Sequence, residues 1–189
     1  MNRSAIQLAT FYNQLSNVFW SVLGFAPVGY FCYTRMEPVW LYIFLALSLP
    51  AILMPNSFCD VMQIGRNTLL YERLGIRIVR KFTQDGDWVN RMIRRRYPQY
   101  KVFDSYASVR RHLQRAYMIE KVHFSFFLFF LYASVYALLK GYVLWTGIIM
   151  LTNLIFNIFP NLLQQYNRLR LRQLMRRSSR GQRSSLKGE

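Results

Sequence analysis

Apolar residues gather along this chain into four runs separated by charged stretches, and each run predicts a membrane-spanning helix. The first extends from about Gln14 to Tyr33, with Asn13 and Asn17 one turn apart as a weak polar edge and Gly24 and Pro27 as expected bends. The second runs from Pro38 to about Met54, with Trp40 and Tyr42 near its start as interfacial anchors and Pro50 and Pro55 marking its end. The third, about Val122 to Leu139, contains FSFFLFFLY; the fourth, about Tyr142 to Leu163, follows a turn at Lys140 and Gly141. The fold class this predicts is an all-α integral membrane protein with four transmembrane helices.

The fourth run is not uniformly apolar. Asn153, Asn157 and Asn161 recur at every fourth position, and Gln164 and Arg168 follow three and then four residues on. On a helix that spacing puts them in one line. Amides in hydrocarbon are costly unless they find partners, so the stripe must face other helices, a wet cavity or a ligand headgroup. It reads as one wall of a site. A plainer role, amide side chains holding helices together, uses the same pattern.

Charge settles the topology. A chain of 189 residues with 53% hydrophobic content and a net charge of +17 must segregate the two properties, which a soluble domain does not do. Of its 25 Lys and Arg, 14 lie between Asn56 and Lys121 and eight follow the fourth run, with one each before the first run and in the two short connections. The positive-inside rule then puts both termini and the long middle segment in the cytoplasm, in a multi-pass protein of the cell membrane. The chain divides into a first hairpin (1–55), a basic interfacial segment (56–121), a second hairpin (122–165) and a basic tail (166–189) that frays into disorder at its serine-rich end.

Within the middle segment, Leu69 to Phe82 alternates apolar and basic faces at helical spacing, the pattern of an amphipathic helix in the headgroup plane. Trp88 to Tyr97 repeats the theme, and a third helix is expected to start near Ser105 and run into the third span. These helices imply anionic headgroups as partners; no nucleic-acid fold signature accompanies the charge. Cys32 and Cys59 form no CxxC pair, so neither a disulfide nor a metal site is expected from them. The first run is too long for a signal-peptide core and is expected to be retained.

The chain has two histidines, His112 and His123, and Glu120 precedes the second by three residues, which makes them neighbours on one helix face. With the fourth span antiparallel to the third, Asn157 to Arg168 come level with this pair. A base, a carboxylate to orient it and amide donors are what a hydroxyl attacking a thioester requires. The alternative is structural: Glu120 pairs with Lys121 or an arginine and His123 sits in the interface. A di-iron site needs a second Glu-x-x-His and further carboxylates, which the chain lacks, so no metal is expected.

IEKVHFSFFLFFLY, followed by NIFPNLLQQYNRLRL, resembles the C-terminal half of the glycosyl-diaponeurosporenoate acyltransferase family, small membrane enzymes associated with the last step of staphyloxanthin-type carotenoid synthesis. The matching positions are Glu120 and His123, then Asn157, Pro160, Gln164, Tyr166, Asn167, Arg168 and Arg170; upstream, YERLG supplies Glu72 and Gly75. The resemblance implies transfer of a fatty acyl group from acyl-CoA or an acyl-carrier thioester, with no other cofactor, to a hydroxyl of a membrane-embedded glycolipid. His123 is then the general base and Glu120 its orienting partner. Asn157, Asn161 and Gln164 hold the sugar or the oxyanion, Tyr166, Asn167 and Glu72 complete substrate binding, and Arg168 and Arg170 clamp donor phosphates. Two other classes stay open: a non-catalytic subunit or adaptor bound to other membrane proteins through the YNRLR block, and a lipid-binding or flipping protein.

Overall fold

The computed structural model describes residues 3–82, 91–93, 95 and 106–185, and those residues are all helical or in short connections. Helix α1 (Arg3–Arg35) leads through a tight turn to α2 (Pro38–Ser48), which tightens into a 3-10 segment, Leu49–Leu53. Three short helices follow, α3 (Asn56–Val61), α4 (Thr68–Arg73) and α5 (Ile76–Phe82). The 34-residue α6 (Tyr106–Leu139) and the continuous rod made of α7 (Val143–Asn153), a π-helical turn (Leu154–Ile158) and α8 (Phe159–Ser185) complete the chain. Helix α6 is the centre of the bundle, packed along α7 and α8 on one side and against α2 and the 3-10 segment on another, with α1 leaning on α7.

Among the described residues, three helical stretches are long and apolar enough to cross a membrane: Thr10–Arg35, Tyr106–Leu139 and Val143–Arg176. The fourth apolar stretch, Pro38–Leu53, is shorter. Proline explains its shape: Pro50 has no N–H for the helix ladder, and the chain narrows to 3-10 geometry there. Ser48 turns its hydroxyl back onto the Phe44 carbonyl at 2.6 Å, and its own carbonyl accepts from Ser125 Oγ of α6 at 2.9 Å.

The two ends of the bundle are tied differently. At one end Glu37 meets Lys140 at 2.7 Å, joining the α1–α2 turn to the α6–α7 turn, where Gly141 takes a φ of +79°. At the other end Asp60, just inside α3, meets Arg168 and Arg172 of α8. Glu120 is level with this second tie and lies twenty residues of α6 before Lys140; at 1.5 Å per residue that is about 30 Å, the thickness of a bilayer's hydrocarbon core. Between the ties, Phe31, Phe130 and Ile149 pack around Ala133 and Ala137, whose small side chains let α6 approach its neighbours.

Among the helices, the structure departs from the sequence reading between Leu69 and Phe82 and at the tail. The single amphipathic helix expected over Leu69 to Phe82 is two helices, broken at Gly75, whose φ of +80° no helix allows. Asn67 caps the first of them by accepting from Leu70 N at 3.4 Å, and Tyr71 and Ile76 are buried against Leu162, Leu163 and Tyr166 of α8. The basic tail continues α8 as helix to Ser185, into the serine-rich stretch where fraying was expected, and residues 186–189 lie outside the described residues. A helix begins at Tyr106 and runs unbroken through the third span, as its pattern predicts, whereas most of the Trp88–Tyr97 stretch lies outside the described residues.

Candidate active site

Arg168 has no exposed surface, and a buried guanidinium must find acceptors for its donors. Its Nη1 donates to Asp60, its Nη2 to the Cys59 carbonyl at 2.8 Å and to Glu120 Oε1 at 3.2 Å, and its Nε stands 2.8 Å from Glu120 Oε2 in an ion pair. The Tyr117 ring covers it, 4.6 Å from centroid to guanidinium carbon. Tyr117 donates its hydroxyl to Asp60 at 2.8 Å and accepts from Arg172, which also pairs with Asp60 at 2.7 Å. Asp60 is the exposed edge of the cluster. Burial raises its pKa, but hydrogen bonds from Tyr117 and Arg172 and the charges of Arg172 and Arg168 outweigh that and hold it below the usual aspartate range. Two carboxylates and two guanidiniums thus balance, and they clamp α3, α6 and α8 together.

One turn of α6 beyond Glu120, about 5 Å toward the Lys140 end, His123 faces the side chain of Asn157 and the backbone carbonyl of Phe156. Pro160 accounts for that carbonyl's availability. Residue 160 would donate to residue 156 in an α-helix, and proline has no N–H to give. The chain passes this point in a π-turn, with Phe159 N bonded to Leu154 O. His123 Nδ1 is buried and has no hydrogen-bond partner among the described residues. Glu120, the orienting group of the sequence reading, turns both of its oxygens to Arg168, and the groups beside His123 are instead the Asn157 side chain and the Phe156 backbone. Asn157 Nδ2 in turn donates to Asn153 Oδ1 at 2.9 Å, and Asn153 Nδ2 donates to the Phe127 carbonyl at 3.1 Å.

The π-turn also rearranges the stripe. It holds one residue more than an α-turn, which rotates everything after it by about 100° relative to a straight helix. Gln165 therefore faces inward where Gln164 was expected: it is buried, accepts from Ile64 N at 3.2 Å and the Tyr71 hydroxyl at 2.9 Å, and donates to the Met62 carbonyl at 3.3 Å. Gln164 and Asn167 are half-buried beside it. Asn161 is half-buried too, and its Oδ1 is a second buried acceptor with no partner among the described residues.

The remaining expected residues lie at the α4–α5 side of α8. Tyr166 is buried and donates to Glu72 Oε1 at 3.3 Å, and Glu72 pairs with Arg77 at 2.8 Å. Arg170 is exposed, its guanidinium 5.6 Å from the Tyr166 ring centroid. Of the two arginines expected at donor phosphates, Arg170 is open to solvent and Arg168 is buried inside the protein, paired with Asp60 and Glu120. Sequence reasoning missed Asp60, Tyr117, Gln165 and Arg172. A cation inside an apolar helix demands a counter-charge, and Asp60 was a legible candidate, one of only eight acidic residues in the chain.

Helices of membrane-crossing length, with a half-buried imidazole and buried amides among them beside an ion-pair cluster, define a multi-pass helical membrane protein with a polar site inside its bundle. The family model of the CrtO family, described as glycosyl-4,4'-diaponeurosporenoate acyltransferase, matches residues 55–177. That is well over half of the chain and includes every site residue named above; the chain belongs to this acyltransferase family. No curated protein and no solved structure matches it.

Proposed function

We propose that the protein transfers a fatty acyl group from a thioester donor to a hydroxyl of a glycosylated lipid, with His123 Nδ1 as general base. The observation that carries this reading is that His123 Nδ1 on α6 and Asn161 Oδ1 on α8 are buried acceptors without a hydrogen-bond partner among the described residues, as Gln63 Oε1 also is, in a member of an acyltransferase family. Two acceptors with nothing to accept from suit a ligand rich in O–H groups, and a sugar headgroup supplies them. On this reading the acceptor's tail stays in the bilayer while its sugar enters among Asn157, Asn161 and Gln164. The hydroxyl gives its proton to Nδ1 as its oxygen attacks the thioester carbonyl; the C–O bond forms, the C–S bond breaks, and the proton returns to the departing thiolate. An amide N–H of the same wall meets the oxyanion. Arg170, with Asn167 on the same helix, faces the phosphates of a CoA-type donor, and buried Tyr166, held by Glu72, supports that part of α8. Asp60, Glu120 and Arg168 hold the helices that carry these groups.

The bundle is proposed to cross the membrane four times with both termini and the basic segment cytoplasmic, the second crossing being the stretch from Pro38 to about Met54, interrupted at Pro50. Lys and Arg of α4, α5 and the start of α6 then meet anionic headgroups.

The test is lipid extraction and mass spectrometry of detergent-purified protein given long-chain acyl-CoA and a total membrane glycolipid fraction. Wild type is expected to yield a new acylated lipid and His123→Ala none. Full activity in His123→Ala excludes the mechanism. Absence of acylation with wild type, together with a stoichiometric protein partner in native spectra, replaces it with the subunit reading.

A further inference from the structure

Helix α1 lies outside the stretch matched by the family model, yet it touches the site at one point. Gly24 is buried, although Leu23 and Phe25 on either side of it are exposed. A Cβ at Gly24 would stand 2.9 Å from Phe156 Cγ, 3.0 Å from Cδ1 and 3.2 Å from Cβ. The first and last of these atoms sit at the root of the Phe156 side chain, and the Cβ moves only with its backbone. Trp20, one turn earlier on the same face of α1, places its ring 6.1 Å from the Phe156 ring. Phe156 belongs to the π-turn, and its carbonyl is the one that meets His123.

From this contact we infer that Gly24 is a positioning residue for His123, and that α1 is an integral wall of the site. The absence of a side chain at 24 lets α1 pack directly on Phe156, and the π-turn so held keeps the Phe156 backbone beside His123. That contact sets the orientation of the ring and with it the direction of Nδ1. In a straight α-helix the carbonyl would be occupied and the contact would orient nothing; the glycine, the proline at 160 and the π-turn act together. The inference rests on the reading of His123 as the base, but its structural content can be measured without catalysis.

The chain has only His112 and His123, and His112 provides an internal reference, its Nδ1 bonded to the Ser108 carbonyl at 2.8 Å. Full-length protein with isotope-labelled histidine in lipid nanodiscs is compared by NMR for wild type, Gly24→Ala, Gly29→Ala and Gly24→Ala/Phe156→Ala. A Cβ at Gly29 meets nothing within 4 Å, so this variant controls for the change of glycine itself. Gly24→Ala is expected to shift the His123 ring nitrogens and leave those of His112 in place. Its kcat is expected to fall tenfold to a hundredfold, roughly the effect of an ångström of misplacement, with the KM for acyl donor unchanged. Removing the Phe156 ring in the double variant is expected to recover part of both. Unmoved His123 signals in folded Gly24→Ala, or equal shifts in Gly29→Ala, overturn the inference. If Gly24→Ala does not fold, Phe156→Ala alone relieves the contact from the other side and must move the same signals, or the inference fails. Shifted His123 signals in a protein whose wild type transfers no acyl group uphold the positioning role and refute the transferase reading.

Discussion

Replacing Arg168 with methionine keeps much of the side chain's length and removes its charge. The magnitude follows from what each partner retains. Asp60 keeps Tyr117 and Arg172 and is partly solvated, so its loss is small. Glu120 is different: its side chain is 5% exposed and both of its oxygens face Arg168, which leaves the carboxylate buried without a counter-charge. Breaking a buried pair by removing one partner costs about 3–5 kcal/mol, a large part of a typical total stability of about 5–15 kcal/mol. Glu120→Gln costs less, because Arg168 retains Asp60 and the Cys59 carbonyl. In Glu120→Gln/Arg168→Met no charge is stranded, so the double variant loses less than the sum of the singles, with a coupling of about 2 kcal/mol. Reversible unfolding in mixed micelles measures all four corners of the cycle. Lys140→Met is the contrast: its partner Glu37 is solvated and the unfolding midpoint should not move. Strictly additive singles each below about 1 kcal/mol refute the argument, and would mean that water reaches the cluster.

Three further outcomes are expected. Pro160→Ala supplies the N–H that the Phe156 carbonyl lacks; the π-turn should relax to α, turn Gln165 and Arg172 away from α3 and abolish activity with helix content preserved, so full activity at unchanged circular dichroism refutes the role given to the π-turn. Gly75→Ala forces a Cβ onto a φ of +80° and should lose about 1–2 kcal/mol, read as a lowered thermal midpoint against Gly29→Ala, with an unchanged midpoint counting against the break between α4 and α5. Because the Asp60 pKa is lowered in the folded protein, its contribution is complete above the unfolded value near pH ~4 and is lost as pH falls through the folded value. Stability measured from pH 6 to pH 2 should therefore drop more steeply at the acid end for wild type than for Asp60→Asn, and parallel curves would dismiss the linkage.

The apolar runs, their approximate lengths and the asymmetry of Lys and Arg are local or additive properties, and the sequence alone determined an all-helical membrane protein with its basic residues gathered between the second and third runs. It also picked out Glu120, His123, Asn157 and Arg168, because polar groups at helical spacing within apolar runs are conspicuous wherever the chain takes them. Only the tertiary structure decided who pairs with whom. Asp60 and Arg168 are 108 residues apart, and no periodicity selects one carboxylate over another across that distance. The choice of Gln165 over Gln164 turned on a single extra residue in the π-turn, and a helical wheel drawn through Pro160 with a constant 100° step could not show it. The Phe156 backbone beside His123 was invisible for a related reason: backbone groups are present at every position, and one becomes distinctive only where the helix fails to use it and another helix is close by.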